Sequence, residues 1–248
     1  MRSVRAPRFH VAEVRSGRLT LAAAESRHAL AVLRLRPGDT VEVFDGQGAH
    51  AMGKLVDDGA GRRAVRRGGG AVVEVGEVWV EPPPGRHLTL YVAACKGPRL
   101  DWLVEKCTEL GVDRIRLVEF ARSVVRAGDA RLAKLSRVAI EACKQCGRNR
   151  LPQLSIGDPW PPAPAPGERL VVCDPEAPIS LVEQLSRNSA RDAVHLTAVI
   201  GPEGGLADDE RAHLHGAGAV PVRLAPHVLR VETAAVAVAA VWAAAPSV

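Results

Sequence analysis

The sequence predicts a chain in two parts, a small β-barrel followed by an α/β domain built on a parallel sheet. Its length of 248 residues is sufficient for two small domains. Three observations predict the two parts. Short strand-like segments with glycine turns extend to about residue 80, a proline-rich segment follows at 81–85, and strand and helix patterns alternate after it.

The first part contains short segments in which polar and apolar residues alternate. Thr40–Phe44 has this period of two and is followed by Asp45-Gly46, a typical turn pair. Val72–Val80 repeats the alternation, and one short helix fits residues 25–33. Several short strands of this kind predict a small barrel over residues 1–80.

Residues 81–87 form the predicted boundary between the two parts. Their sequence begins EPPPG, and three consecutive prolines fit neither a helix interior nor a central strand. A segment of this composition is a stiff spacer. The sequence therefore predicts an α/β domain over residues 88–248.

In this second part, apolar runs of strand length alternate with segments of helical spacing. Residues 88–94 are almost continuously apolar, as in a strand that is covered on both faces. Asp129–Cys146 has apolar residues at helical spacing and is followed by Gly147, a typical helix stop. This alternation predicts a parallel sheet. The expected strands are 88–94, 114–120, 169–173, 196–200 and 220–224, with helices at 100–110, 129–146 and 179–186, from 208 and after 232.

The composition is that of a globular protein with a mostly aliphatic core. Hydrophobic residues make up 47% of the chain, charged residues 25% and aromatic residues 3%. The longest apolar stretch, residues 234–245, has 12 residues, whereas a membrane span needs about 20, so we expect no membrane partner. The N-terminus is charged throughout and shows no secretory signal. Five cysteines without disulfide spacing favour the cytoplasm.

Basic charge is concentrated in the middle of the chain. Residues 86–150 carry a net charge of +7, whereas residues 151–248 carry −5. A basic segment of this kind favours a polyanionic partner, most commonly a nucleic acid. A solvated basic face would give the same distribution, so charge alone leaves both interpretations open.

One expected strand end carries a glycine cluster. Residues 200–205 have the sequence IGPEGG, in which three glycines allow positive φ angles and close approach of a ligand to the backbone. In open α/β sheets, ligands bind at the carboxyl ends of the strands. The cluster matches neither the dinucleotide nor the triphosphate glycine motif, which disfavours those ligands. A tight strand-to-helix turn is the alternative interpretation.

A second strand end, residues 224–234, combines charged and apolar residues. Glu232 and Thr233 fit a helix N-terminus, where the dipole favours a carboxylate and a hydroxyl can cap the helix. That interpretation leaves Arg230 unexplained. Cys143 and Cys146 lie within a predicted helix without a second cysteine pair, so we expect buried thiols and no metal.

These features and several further motifs follow one another along nearly the whole chain in the same order as in a known family. In that combination, the sequence resembles the bacterial 16S ribosomal RNA uridine-N3 methyltransferases, the RsmE family of the SPOUT superfamily. The motifs that carry the resemblance are PRF at 7–9, His28 with VLRL at 32–35, GD at 38–39, FDG at 44–46, Lys96, EKCTELGV at 105–112, RSV at 122–124, EACKQCGR at 141–148, GPEGG at 201–205 and LRVETA at 229–234.

The resemblance implies a PUA-like RNA-binding barrel, a SPOUT α/β domain with a C-terminal trefoil knot, and a homodimer. It implies methylation of N3 of a specific uridine of 16S ribosomal RNA in the small subunit, with S-adenosylmethionine as the cofactor. The two strand-end loops would form the cofactor pocket. Its expected residues are Ile200, Gly201, Pro202, Gly204, Gly205, Leu224, Pro226, Leu229, Arg230, Thr233 and Ala234. The sequence departs from the family at Ala225 and His227, where a glycine and an arginine are usual.

A uridine N3 attacks well only after it has lost its proton, so a cation near O2 or O4 of the uracil ring would stabilise the developing anion. Arg230 is the first candidate for this role and Arg122 the second, while Glu232 is expected to hold Arg230 in place. Basic side chains elsewhere would bind phosphates. The candidates are Arg8, Arg34, Arg36, Lys96, Lys106, Arg148 and Arg150.

Two other functions remain open at this point. The chain could be a SPOUT methyltransferase that acts on another RNA, such as transfer RNA, although the motifs of the first part disfavour it. It could also be a non-catalytic RNA-binding factor of ribosome assembly that has kept the fold. Binding of S-adenosylmethionine would separate the catalytic functions from this last one.

Overall fold

The structure of the protein is a computed structural model, which describes residues 6–57, 70–124, 128–157, 160, 163–186 and 194–245. The chain divides into two compact units. Unit 1 comprises Met1–Pro83 and Cys143–Leu151, and unit 2 comprises Pro84–Ala142 and Pro152–Val248. Within the described residues, no helix has both the length and the apolar character that crossing a bilayer requires.

Unit 1 contains a five-stranded sheet in the order β1-β3-β4-β5-β2. Alternate residues of the strands point into its core, where Phe9, Val41, Val43 and Val73 are completely buried. The predicted helix over 25–33 is instead a short α-helix continued by a π-helical turn. The elements are β1 (Arg8–His10), β2 (Gly17–Thr20), α1 (Ala23–Arg27), a π-helical turn (His28–Val32), β3 (Thr40–Phe44), β4 (Ala49–Val56) and β5 (Val72–Val80).

Polar side chains attach the segment Cys143–Leu151 to the rest of unit 1. The Lys144 ammonium donates hydrogen bonds to both oxygens of Glu25, at 3.1 and 3.2 Å, and to Nδ1 of His28 at 3.0 Å. The exposed fractions of the Lys144 and Glu25 side chains are only 7% and 13%. The charge of Lys144 is therefore compensated inside the unit, and this helix end belongs to unit 1 although sequence patterning assigns it to the second part.

We expect Lys144→Met to destabilise unit 1 by about 3 kcal/mol, because removing one member of a buried ion pair leaves the other charge without compensation. Urea denaturation followed by circular dichroism measures the loss. The double variant Lys144→Met/Glu25→Met removes both charges and should recover most of the stability. Equal stability of the single variant and the wild type would contradict the prediction.

Unit 2 contains a six-stranded parallel sheet in the order β11-β9-β10-β6-β7-β8. The predicted mixed α/β fold is confirmed, with one strand more than the pattern indicated. The strands are β6 (His87–Ala93), β7 (Arg114–Val118), β8 (Gln153–Ile156), β9 (Glu168–Cys173), β10 (His195–Ile200) and β11 (Val220–Val222). The helices are α2 (Pro98–Glu109), α3 (Asp129–Cys146), α4 (Leu181–Ser186), α5 (Asp208–Gly216) and α6 (Val231–Ala244), of which α3 ends in unit 1.

The order of the strands determines which loops meet. β10 pairs with β9 on one side and with β6 on the other, and β9 also pairs with β11. Because the strands are parallel, the loops that follow them lie at one edge of the sheet. The glycine cluster after β10 is therefore adjacent to the loops that follow β6 and β9.

Candidate active site

A cavity of about 360 Å³ lies in unit 2 at the carboxyl ends of β9, β10 and β11. This volume and a mostly apolar lining are typical of small-molecule sites. Seven of the predicted pocket residues line it: Ile200, Gly201, Pro202, Gly205, Leu224, Leu229 and Ala234. Gly204, Pro226, Arg230 and Thr233 do not line it themselves, but each is next in sequence to a lining residue.

The glycine loop forms one wall of the cavity as a tight turn. The amide of Gly205 donates to the carbonyl of Pro202 at 2.8 Å, which places Glu203 and Gly204 at the centre of the turn. Gly205 has a φ of +71°, a conformation that side chains disfavour. A Cβ atom on Gly201 would lie 3.0 Å from Cδ2 of Leu206. Both positions therefore favour glycine for local reasons, and they leave backbone groups beside the cavity.

The loop after β11 forms the opposite wall and ends at helix α6. Arg230 is the N-cap residue of α6, with extended backbone angles of φ −67° and ψ 156°. Its side chain is exposed, and among the residues that the structure describes its guanidinium has no ion-pair or hydrogen-bond partner. Ala225 and His227, the two departures from the family pattern, both line the cavity.

Glu232 pairs with Arg99 instead of the expected Arg230. Nη1 of Arg99 lies 3.6 Å from Oε1 of Glu232 and 3.6 Å from Oε1 of Glu203. The Glu232 side chain is 7% exposed, so its charge needs this partner. The expectation that Glu232 holds Arg230 is wrong in this structure, because α2 begins beside α6 and supplies the nearer cation.

Arg122, the second predicted catalytic residue, contacts the glycine loop. It lies in the tight turn after β7, and its Nη1 donates to the carbonyl of Gly204 at 3.0 Å. Arg122 is exposed. Arg122, Arg99 and Glu203 thus lie around the same loop, and the structure brings the two predicted loops and the predicted Arg122 into one region of unit 2.

Two cysteines near the strand ends are not suited to act as nucleophiles. Burial raises the pKa of Cys173, a cavity residue, to about 12. Burial, and then the carboxylate of Glu232, raises the pKa of Cys95 to about 11. A thiol with such a pKa is protonated near neutral pH, so neither cysteine supplies a thiolate.

Several site residues were missed by sequence reasoning. Asp174, after β9, and Arg211, in α5, both line the cavity and form an ion pair at 3.3 Å. Arg99 lies between Glu203 and Glu232. Asp174, Arg211 and Arg99 each follow or face a strand end, but only the order of the strands shows that these strand ends are neighbours.

Some of the predicted phosphate-binding residues are exposed, and others are engaged in contacts within the protein. Arg34 and Arg36 in unit 1 and Lys96 in unit 2 are exposed. Lys106 binds Glu105 and Glu109 at 2.7 and 2.9 Å. Hydrogen bonds from Lys106 to these two carboxylates raise its pKa to about 12.

The three other predicted phosphate-binding residues are arginines of unit 1 that are buried or half-buried. Arg8 is 4% exposed, and its guanidinium binds Glu42, Asn149 and the carbonyl of Cys143. A direct phosphate contact by Arg8 is therefore wrong in this conformation, since its donors are used inside the unit. Arg148 is half-buried, and Arg150, also half-buried, donates to the carbonyls of Gln47 and Glu81.

The fold is that of a class of RNA-modifying proteins. Residues 81–243 match the RNA methyltransferase domain family, and residues 21–62 match the RNA methyltransferase PUA domain family. The "Ribosomal RNA small subunit methyltransferase E" of Mycobacterium tuberculosis is 36% identical over 222 residues, which cover 85% of this chain and 80% of that protein. The Bacillus subtilis protein of the same name is 27% identical over 85% of this chain and 83% of its own length.

Solved structures agree with these relatives. The ribosomal RNA small subunit methyltransferase E of Neisseria gonorrhoeae, bound to S-adenosylmethionine, aligns with a TM-score of 0.79 and 28% identity over 95% of this chain and 96% of that one. A putative methyltransferase of Legionella pneumophila in complex with the same cofactor aligns with a TM-score of 0.78 and 25% identity over 96% and 97%. The chain belongs to the ribosomal RNA small subunit methyltransferase E family.

Proposed function

We propose that this protein is an S-adenosylmethionine-dependent methyltransferase that modifies N3 of a specific uridine in the 16S ribosomal RNA of the small subunit. The observation that carries the proposal is the glycine-lined cavity at the carboxyl ends of β9, β10 and β11, with arginines beside it. The family relationship supports the substrate. We further propose that the enzyme acts in the cytoplasm as a homodimer.

The cavity fits the cofactor on the features of its own wall. Gly201 and Gly205 keep side chains out of the space beside the loop, so backbone groups can contact an adenine edge or a methionine tail. Apolar residues such as Leu224 and Leu229 provide surface for a flat base. When bound there, S-adenosylmethionine supplies a methyl group on a positively charged sulfonium.

The side chains of the chain have to orient the uracil ring and stabilise its anion. Arg230 is exposed and keeps its donors available among the described residues, which suits contact with O2 or O4 as N3 loses its proton. Arg122 lies on the other loop and is the second candidate for this contact. Arg99 offsets part of the negative charge of Glu203 and Glu232, which reduces the repulsion between these carboxylates and the developing anion.

RNA binding should weaken steeply as salt increases, because phosphate contacts release counterions. Exposed cations such as Arg34, Arg36 and Lys96 would make these contacts. We expect Arg36→Ala to lower the slope of log K against log salt by about 1. Titration of labelled 16S RNA with the wild type and with Arg36→Ala at four salt concentrations measures the slope for each protein. A flat response of the wild type would contradict phosphate binding.

The experiment that tests the function uses purified protein and S-adenosylmethionine with a tritiated methyl group. Small ribosomal subunits, naked 16S RNA and bulk transfer RNA are offered separately, and nucleosides are then analysed. Label in 3-methyluridine from the small subunit is the expected result. Label found only in transfer RNA would show that transfer RNA is the substrate instead. Absence of cofactor binding would favour a non-catalytic RNA-binding factor.

A further inference from the structure

Glu210 is a buried carboxylate in the first turn of α5. The residue is 7% exposed, and each of its oxygens accepts a backbone hydrogen bond of 2.7 Å. Oε2 binds the amide of Ala207, the N-cap residue of α5, and Oε1 binds the amide of Ala121 in the turn after β7. One side chain thus joins two loops that are far apart in sequence.

Helix capping alone does not explain this residue. In a capping box the N-cap side chain and the third helical residue bind each other's backbone amides, but Ala207 has no side chain that could do so. A single oxygen is sufficient for the contact with Ala207. The second oxygen is used at the β7 loop, where its negative charge strengthens the hydrogen bond.

The contact with Ala121 fixes the turn that carries Arg122. The amide of Ser123 donates to the carbonyl of Phe120 at 2.9 Å, and Ser123 Oγ accepts from the amide of Phe120, also at 2.9 Å. Ala121 and Arg122 are the two central residues of this turn. Because Phe120 is buried in the core and Ala121 is held by Glu210, the backbone that leads into Arg122 is fixed, and the Arg122 guanidinium donates to the carbonyl of Gly204 from this turn.

We propose that Glu210 is a positioning residue for the methyl transfer, which acts by fixing the Arg122 turn against the glycine loop. Its carboxylate holds the amide of Ala121, which precedes Arg122, and the amide of Ala207, two residues after the glycine loop. Arg122 is thereby kept in contact with the glycine loop, which forms one wall of the cavity. The proposal rests on the proposed function, since it concerns the geometry of that reaction.

Glu210→Gln tests this link with almost no change in size. The amide keeps one acceptor oxygen, and its NH₂ group faces a backbone donor. We expect kcat to fall roughly tenfold, because small misplacements of a positioned group cost this much or more, while the Kd for S-adenosylmethionine measured by calorimetry changes little. Ala121→Pro removes the same hydrogen bond from the other side, leaves the cap of α5 in place and should give the same loss.

A double-mutant cycle separates positioning from general destabilisation. If Glu210 acts through Arg122, then Glu210→Gln should lower kcat no further in an Arg122→Ala background. The matched control is Glu183→Gln, since Glu183 accepts from the amide and hydroxyl of Ser180 at the start of α4. This control removes the same carboxylate charge at the start of a helix and should keep the wild-type kcat.

Two results would overturn the proposal and not the function. The first is a wild-type kcat in both Glu210→Gln and Ala121→Pro. The second is a kcat of the double variant Glu210→Gln/Arg122→Ala that falls by the product of the two single losses. A wild-type chain that binds S-adenosylmethionine but transfers no methyl group to small subunits would overturn the proposed function, and the role of Glu210 with it.

Discussion

Arg230→Ala is expected to lower the rate of methyl transfer by about 100-fold, because a preorganised cation that stabilises a developing anion contributes on this scale. The guanidinium is exposed at the start of α6 and has no partner among the described residues. Its removal should therefore change the free energy of unfolding by less than about 0.5 kcal/mol. Single-turnover assays with saturating small subunits measure the rate, and calorimetry should show unchanged binding of S-adenosylmethionine.

Arg36→Ala is the control for this prediction, because Arg36 is also an exposed arginine but lies in unit 1. Its loss should raise the KM for the small subunit and leave the rate at saturation unchanged. Full single-turnover activity of a folded Arg230→Ala variant would show that another group stabilises the anion. Arg122→Ala would then be the next variant, since Arg122 lies beside the glycine loop.

Gly205→Val is expected to weaken binding of S-adenosylmethionine at least tenfold, equivalent to about 1.4 kcal/mol. Gly205 has a φ of +71° and lines the cavity. A β-branched residue in this conformation costs about 1–3 kcal/mol, so the loop should leave its turn to relieve the strain. The hydrogen bond from the Gly205 amide to Pro202 would be lost, and the wall of the cavity would move. Calorimetric titration with the cofactor alone measures the effect without RNA.

Gly111→Val provides a matched control for backbone strain. Gly111 follows α2 with a φ of +83°, and no heavy atom lies within 4 Å of an added Cβ. Both valine variants should lose similar thermal stability, but Gly111→Val should keep the wild-type affinity for the cofactor. If both variants bind S-adenosylmethionine equally well, the conformation of Gly205 does not shape the pocket.

Local patterns predicted most of the elements around the site. Val72–Val80 and Asp129–Cys146 have the bounds that alternation and helical spacing indicate, because each pattern lies within one segment of the chain. Gln153–Ile156 was missed, since this strand has only four residues and is only partly buried. The trefoil knot stays a prediction of the family resemblance.

Charge pairing could not be predicted in the same way. A buried arginine such as Arg8 cannot be distinguished from an exposed one by its neighbours in sequence. Its partners Glu42 and Asn149 come from distant segments, and only their approach makes burial of the charge acceptable. The same reason explains why Arg99, and not Arg230, proved to be the partner of Glu232.

By itself, the sequence determined the two strand-end loops, the glycine cluster in one of them and the concentration of basic residues at 86–150, because motifs and composition are local properties. The tertiary structure decided which loops meet. The order β11-β9-β10-β6-β7-β8 brings Asp174 into the cavity and the Arg122 turn to the glycine loop, and it makes Glu210 a bridge between them. These contacts join residues far apart in the chain, so only the packing of strands and helices into one sheet establishes them.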